Sequence, residues 1–111
     1  DPHFIKNQAS SMITGINVQI QPFYGSMAQY IELSISQFKQ VGLKTVSSGL
    51  EGEKAVLEYK GLFQGRILHW YSRAVKKGGF VYLVTATDDQ NSWKTNESKL
   101  KSVVDSFELT R

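Results

Sequence analysis

The chain has 111 residues, 41% of them hydrophobic and 21% charged, with a formal net charge of +3 and no cysteine. That length suits one ordinary domain, 1–111, able to remove about two thirds of its unfolded surface from water without staples, and the lack of cysteine excludes disulfides, thiolate catalysis and cysteine-ligated zinc. No apolar run approaches the ~20 residues that span a bilayer, and the 13 Lys and Arg are scattered, which reads as a solvated surface rather than a nucleic-acid stripe.

Asp1 to Ser11 contains a proline and few apolar residues, so it reads as an irregular arm, with Phe4 and Ile5 available to a strand edge. A chain opening on Asp1 rather than Met is expected to be a processed or trimmed form, from which a signal peptide or a lipid-bearing Cys could have been cut. From Ile13 to Phe23, Ile16, Val18 and Ile20 alternate with Asn17, Gln19 and Gln21, the period of a half-buried strand that Pro22 then ends. Ser26-Met27-Ala28-Gln29 has the form of a capping box. It predicts a helix over 27–41 with Met27, Ile31, Ile35, Phe38 and Val41 on one stripe and Gly42 as its stop. Leu43, Thr45 and Val46 begin another short strand, and 47–52, with two glycines, reads as a loop.

The organising stretch is Glu53 to Thr87. Three segments rich in β-branched and aromatic residues, 54–63, 66–76 and 79–87, are separated by Gln64-Gly65 and Lys77-Gly78. Each break ends in glycine, which reaches positive φ without a Cβ clash, so the segments form an antiparallel meander. Two-residue turns set the register: Phe63 faces Arg66, Tyr59 faces Trp70, Val75 faces Phe80, Tyr71 faces Val84 and Trp70 faces Thr85. One face then gathers Ala55, Leu57, Tyr59, Phe63, Leu68, Trp70, Ala74, Val81 and Leu83, an apolar surface that needs a cover. The other mixes aromatics with ionisable groups. Asp88 to Ser92 reads as a turn and cap cluster, with Ser92, Thr95 and Asn96 as candidate N-caps. A last helix, 93–107, follows, with Trp93, Leu100, Val103, Val104 and Phe107 inward and Lys94, Lys99, Lys101 and Asp105 toward water. The helices are the natural lids of the apolar face, and the whole reads as α+β.

Four passages carry a resemblance: 38–44 (FKQVGLK), 55–61 (AVLEYKG), 75–87 (VKKGGFVYLVTAT) and 103–109 (VVDSFEL). In this order they resemble the PsbP/Mog1/DcrB-like superfamily over about Ile13 to Leu109, and the exported bacterial lipoprotein branch most of all. The resemblance implies an antiparallel sheet between helices, an α/β/α sandwich, and no catalytic site common to the members. Those members include thylakoid-lumen photosystem proteins, a Ran-binding import factor and chaperones of type VI secretion effectors. The chain departs from the family at its start, where Asp1 to Ser11 stands in place of a proline-containing hairpin.

Motifs for chemistry are scarce. His3 and His69 lie on different elements without metal-ligand spacing, no serine has nucleophile-elbow glycines, and Lys77-Gly78-Gly79 joins strand to strand instead of opening a helix that would hold phosphate. Asp88 and Asp89 precede a helix, where capping explains them. Asn96-Glu97-Ser98 matches a glycan acceptor by formula only. No cofactor or metal is expected. The candidate site is on the mixed face, where Glu58, Lys60, His69, Tyr71, Arg73 and Tyr82 fall on neighbouring positions and Glu58 is diagonal to His69 and Arg73. Tyr and Arg carry interface energy, so this patch is a candidate recognition surface for a protein or small ligand. The competing reading is ordinary salt pairing, and cover by the chain's own helix decides for it. The expected function is a non-catalytic binding or accessory domain of an exported protein, monomeric or dimeric, with a lipid anchor open to the precursor. The alternative is an effector-escort chaperone or cytosolic adaptor that forms a dimer; a hydrolase would need a cleft near Asp88, Asp89 or His69.

Overall fold

The computed structural model describes residues 15–109, so the predicted arm of Asp1 to Ser11 and His3 lie outside the described residues. In order the elements are β1 (Gly15–Pro22), α1 (Met27–Gln40), β2 (Lys44–Glu51), β3 (Lys54–Phe63), β4 (Arg66–Lys77), β5 (Phe80–Asp89) and α2 (Gln90–Asp105). The strands form one five-stranded sheet in the order β1-β5-β4-β3-β2, every neighbouring pair antiparallel. The helices lie on opposite faces, which gives the α/β/α arrangement. Among the described residues, no helix is long and apolar enough to cross a membrane.

Local chemistry accounts for most boundaries. The capping box at the start of α1 is complete: the Gln29 amide donates to Ser26 Oγ at 3.1 Å and the Ser26 amide to Gln29 Oε1 at 2.8 Å. Val41 is the C-cap, and Gly42 follows at φ +81°. The first hairpin turns at Gln64-Gly65 with Phe63 opposite Arg66. Both central residues have positive φ, +52° and +83°, as a type I′ turn requires.

The second hairpin differs from the expected one. Its loop is Gly78-Gly79, with Lys77 opposite Phe80, so Tyr71 pairs with Ala86, Val75 with Tyr82 and Trp70 with Thr87. Gly78 supplies the positive φ, +62°. At Gly79 a Cβ would come within 2.6 Å of the Tyr24 ring, while the Gly79 carbonyl accepts from the Phe23 amide at 2.8 Å. The turn lies one residue further on than expected, with Phe23 and Tyr24 both against Gly79. Partners slide by two, which leaves every side chain on its expected face.

Two more boundaries are corrected. The predicted loop 47–52 is mostly strand: β2 continues to Glu51 opposite Lys54, with an irregularity between Thr45 and Ser47. The ladder from β3 outweighs the weak strand preference of Ser47-Ser48-Gly49. Helix α2 starts at Gln90 rather than Trp93, capped by Asp89, whose carboxylate accepts from the Asn91 amide at 2.9 Å. Ser92, Thr95 and Asn96 are inside it.

The core has two halves. Under α1, Tyr30 and Ile31 pack on Ala55, Leu57, Ala74 and Val81. Under α2, Trp93, Leu100 and Val104 pack on Tyr71, Val84 and Ala86. The helices therefore do not share the apolar face, and the mixed face has its own lid. Val103, expected inward, is 45% exposed, because Val104 takes the position against the sheet.

Candidate ligand-binding groove

The predicted recognition patch is largely claimed by α2. Glu58, His69 and Tyr71 are buried. His69 Nε2 donates to Glu58 Oε2 at 2.7 Å, Nδ1 lies 3.0 Å from the Gln90 side-chain oxygen, and the ring stacks on Trp93 at 4.0 Å. Lys101, expected in water, turns inward to Glu58 Oε1 at 3.0 Å and Glu97 Oε2 at 2.7 Å. Asp105 accepts from Tyr71 Oη at 2.7 Å and from Arg73 Nε at 2.6 Å, and Arg73 also pairs with Glu51. Sequence spacing brings Glu58 and His69 together as expected. What they recognise is the chain's own helix, so they are not a free docking surface. Lys60 is half-buried. Tyr82 is also half-buried and, with Arg73, lines a cavity of about 340 Å³ beside Val104 and Phe107.

Burial alone would raise the Glu58 carboxyl, but hydrogen bonds from His69 and Lys101, with the Lys101 charge, outweigh it and hold its pKa below the usual glutamate value. Desolvation pulls Lys101 and Arg73 down, but bonds from Lys101 to Glu97 and Glu58, and from Arg73 to Tyr71, Glu51 and Asp105, hold both above their ordinary values. A carboxyl with a depressed folded pKa contributes stability that is fully present above the ordinary glutamate range and is lost as pH falls through the folded value. Glu58→Gln is expected to cost about 2 kcal/mol at neutral pH. Urea titrations at descending pH should show that gap closing as the wild-type carboxyl protonates; a constant gap would refute the linkage.

Asp88 is fully buried. Its carboxylate accepts from the Asp89 amide at 2.8 Å, Ser92 Oγ at 2.7 Å and Asn96 Nδ2 at 2.9 Å, so it anchors the first turns of α2. None of Asp88, Asp89 and His69 lines the 340 Å³ cavity beside Tyr82 or the groove on the α1 side. Among the described residues, no group of three His, Asp or Glu side chains is placed to hold a metal ion.

The opening that the structure does present is on the α1 side. A groove of about 460 Å³ lies beyond the C-terminal turn of α1, over β1, β5, β4 and β3. Its aromatic wall is a continuous stack: Phe38 on Tyr59 at 4.0 Å and 22°, Tyr59 on Trp70 at 5.1 Å and 16°, with Phe63 edge-on to Trp70 at 6.1 Å. Cross-strand pairing aligns this row, since Tyr59 is opposite Trp70, Trp70 opposite Thr87 and Thr87 opposite Gly15. Bulk therefore falls from two large rings to a threonine and a glycine, and among the described residues one side of the Trp70 indole has no ring stacked on it. The floor there is Asn17, Gln19, Thr85 and Thr87. Val41, Leu62 and Phe63 form an exposed apolar rim, Phe63 at 49% exposure although expected in the core. Gly61 allows the close side of the groove, because a Cβ there would come within 2.6 Å of Leu43.

Every described lining residue is uncharged. Burial raises the Tyr59 phenol pKa despite opposing bonds from Ser72 and Thr85, so it too stays neutral. Asn17 Oδ1 is buried without a hydrogen-bond partner among the described residues. An orphaned acceptor of this kind is uncommon and costly. In the sequence Asn17 reads only as a polar position of an alternating strand.

No protein-family model matches the chain, and no curated protein matches it closely. Solved structures do. A candidate regulator of unknown function from Pseudomonas aeruginosa superposes with a TM-score of 0.69 at 14% identity, over 90% of this chain and 86% of its own. The cyanobacterial PsbP of Synechocystis sp. PCC 6803, CyanoP, gives 0.68 at 14% identity, over 87% of this chain and 68% of its own. Likeness at that identity speaks for architecture alone. The chain has the PsbP-like α+β fold that its strand and closing-helix passages resemble.

Proposed function

We propose that this protein is a non-catalytic binding or accessory module that holds its partner molecule in the aromatic groove over β3, β4 and β5. The observation that carries the reading is the groove itself: an open, uncharged concavity within the size range of small-molecule sites, with an apolar wall and a few convergent polar groups. The paired ionisable side chains of the opposite face support it indirectly, because they are consumed in docking α2. We extend the proposal to an exported setting on the resemblance of 75–87 and 103–109 to the exported branch of the superfamily; a leader in the precursor sequence tests that part.

The neutral dye N-phenyl-1-naphthylamine tests the groove. It is expected to bind the folded protein saturably with enhanced fluorescence, and Phe63→Ser, a change at a half-exposed rim, is expected to weaken it about fivefold without lowering the unfolding midpoint appreciably. No saturable binding, or equal binding by Phe63→Ser, would overturn the reading.

A further inference from the structure

We propose that the groove is a site for a neutral saccharide, seated with the C–H face of one sugar ring on the free side of Trp70 and its hydroxyl edge on Asn17, Gln19, Thr85 and Thr87. This rests on the groove being a binding site and adds the chemical class of its ligand.

The class follows by elimination from the lining. An anionic or cationic ligand would give up its hydration for a cavity whose described lining residues are all neutral. A purely aliphatic ligand would suit the aromatic stack but would seal off the amide and hydroxyl floor, and give no donor to Asn17 Oδ1, which has none among the described residues. An extended peptide carries a donor and an acceptor at every residue. The aromatic floor is on the interior strands β3 and β4, whose backbone groups are committed to their neighbours, so a peptide lying there has no strand edge to extend.

A pyranose meets both walls at once. Its flat C–H face matches an indole with one face stacked on Tyr59 and the other, among the described residues, toward Thr87 on the neighbouring strand. Its equatorial hydroxyls donate in the plane of the ring, toward the strands where Asn17 and Thr85 stand opposite one another. The Thr85 hydroxyl is already bonded to Ser72 Oγ at 2.7 Å, which fixes its rotamer, whereas among the described residues Asn17 Oδ1, buried as it stands, has no bond to break before its side chain turns to accept one. The remaining hydroxyls stay in water, because the groove is open.

The experiment uses the full 111-residue chain, labelled with nitrogen-15, and three neutral disaccharides: maltose, cellobiose and N,N′-diacetylchitobiose. At least one is expected to shift both the Trp70 indole N–H and the Asn17 side-chain amide with a Kd of about 1 mM or tighter. Asn17→Leu is expected to weaken that binding at least about fivefold while raising the thermal midpoint by roughly 3 °C, because it removes the orphaned acceptor; a merely structural role for Asn17 would move stability alone. The proposal is overturned if none of the three shifts these signals at about 20 mM, if Asn17→Leu binds as tightly as the native chain, or if a neutral leucine-rich peptide shifts them where the sugars do not. Naphthylamine binding retained in the first or third case would leave the groove reading standing and sink only the saccharide; its loss would sink both.

Discussion

Trp93→Ala is expected to lower the free energy of unfolding by about 3–5 kcal/mol, the cost of deleting a buried indole with little local collapse. Trp93 is 4% exposed, on the first turns of α2, with its ring 4.0 Å from the His69 imidazole and nearly parallel to it. Removal would open a cavity against β4 and uncover the Glu58–His69 pair, whose bond now lies out of water. Against a total stability of about 5–15 kcal/mol for a domain of this kind, the loss would leave a marginal fold. Urea denaturation followed by far-ultraviolet circular dichroism measures it. A change under about 1 kcal/mol would mean that α2 is not docked as described.

Asp88→Ala is expected to cost about 3 kcal/mol, for a different reason. Little volume is lost, but the Asp89 amide, the Ser92 hydroxyl and the Asn96 amide all donate to this carboxylate in a place without solvent access. Their orphaning, not the cavity, sets the cost. Asp88→Asn keeps one acceptor oxygen and should cost less than the alanine. Hydrogen exchange should show the loss first at the start of α2. Equal effects of the two substitutions would indicate that volume and not hydrogen bonding governs the site.

Much of the architecture was legible in the sequence because it is written in local signals. The Ser26–Gln29 box, the Gln64-Gly65 turn and the alternation from Ala55 to Val84 each act within a few residues, and each is where it was expected. The second turn was misplaced by one residue because Lys77-Gly78-Gly79 offers two equally good two-residue loops. In the loop observed, Gly79 meets Phe23 and Tyr24, over fifty positions away, and no local rule sees those contacts. Strand β2 was missed over Ser47 to Glu51 for a related reason: its residues have little strand preference of their own and take their form from the β3 ladder.

The candidate site was the least legible part. The ionisable cluster around Glu58 and His69 looked like a surface because α2 seemed to send Lys101 into water, whereas Lys101 folds back over Glu58 and Tyr71. The groove draws on β1, α1, β3, β4 and β5 together, and its central feature is a step in size from Trp70 to Thr87. The expected pairing of Trp70 with Thr85 also sets a threonine there; what it does not supply is the further step to Gly15 on β1. Asn17 gave no signal as a strand residue, since its distinction lies in a partner it lacks.

The joint between β5 and α2 has no spare residue: Asp89 is the last residue of the strand and also the cap of the helix. A helix tied so directly has no hinge on which to swing, and could leave the sheet only by tearing out the Asp88 anchorage first. Helix α1 instead joins the sheet through residues 23–26 and 41–43, and its entry is fastened by bonds, the Phe23 amide on the Gly79 carbonyl at 2.8 Å and Lys76 Nζ on the Gly25 carbonyl. The two lids are thus tied down in different ways, one by a residue shared with its strand and the other by contacts its leading connector makes with the second hairpin.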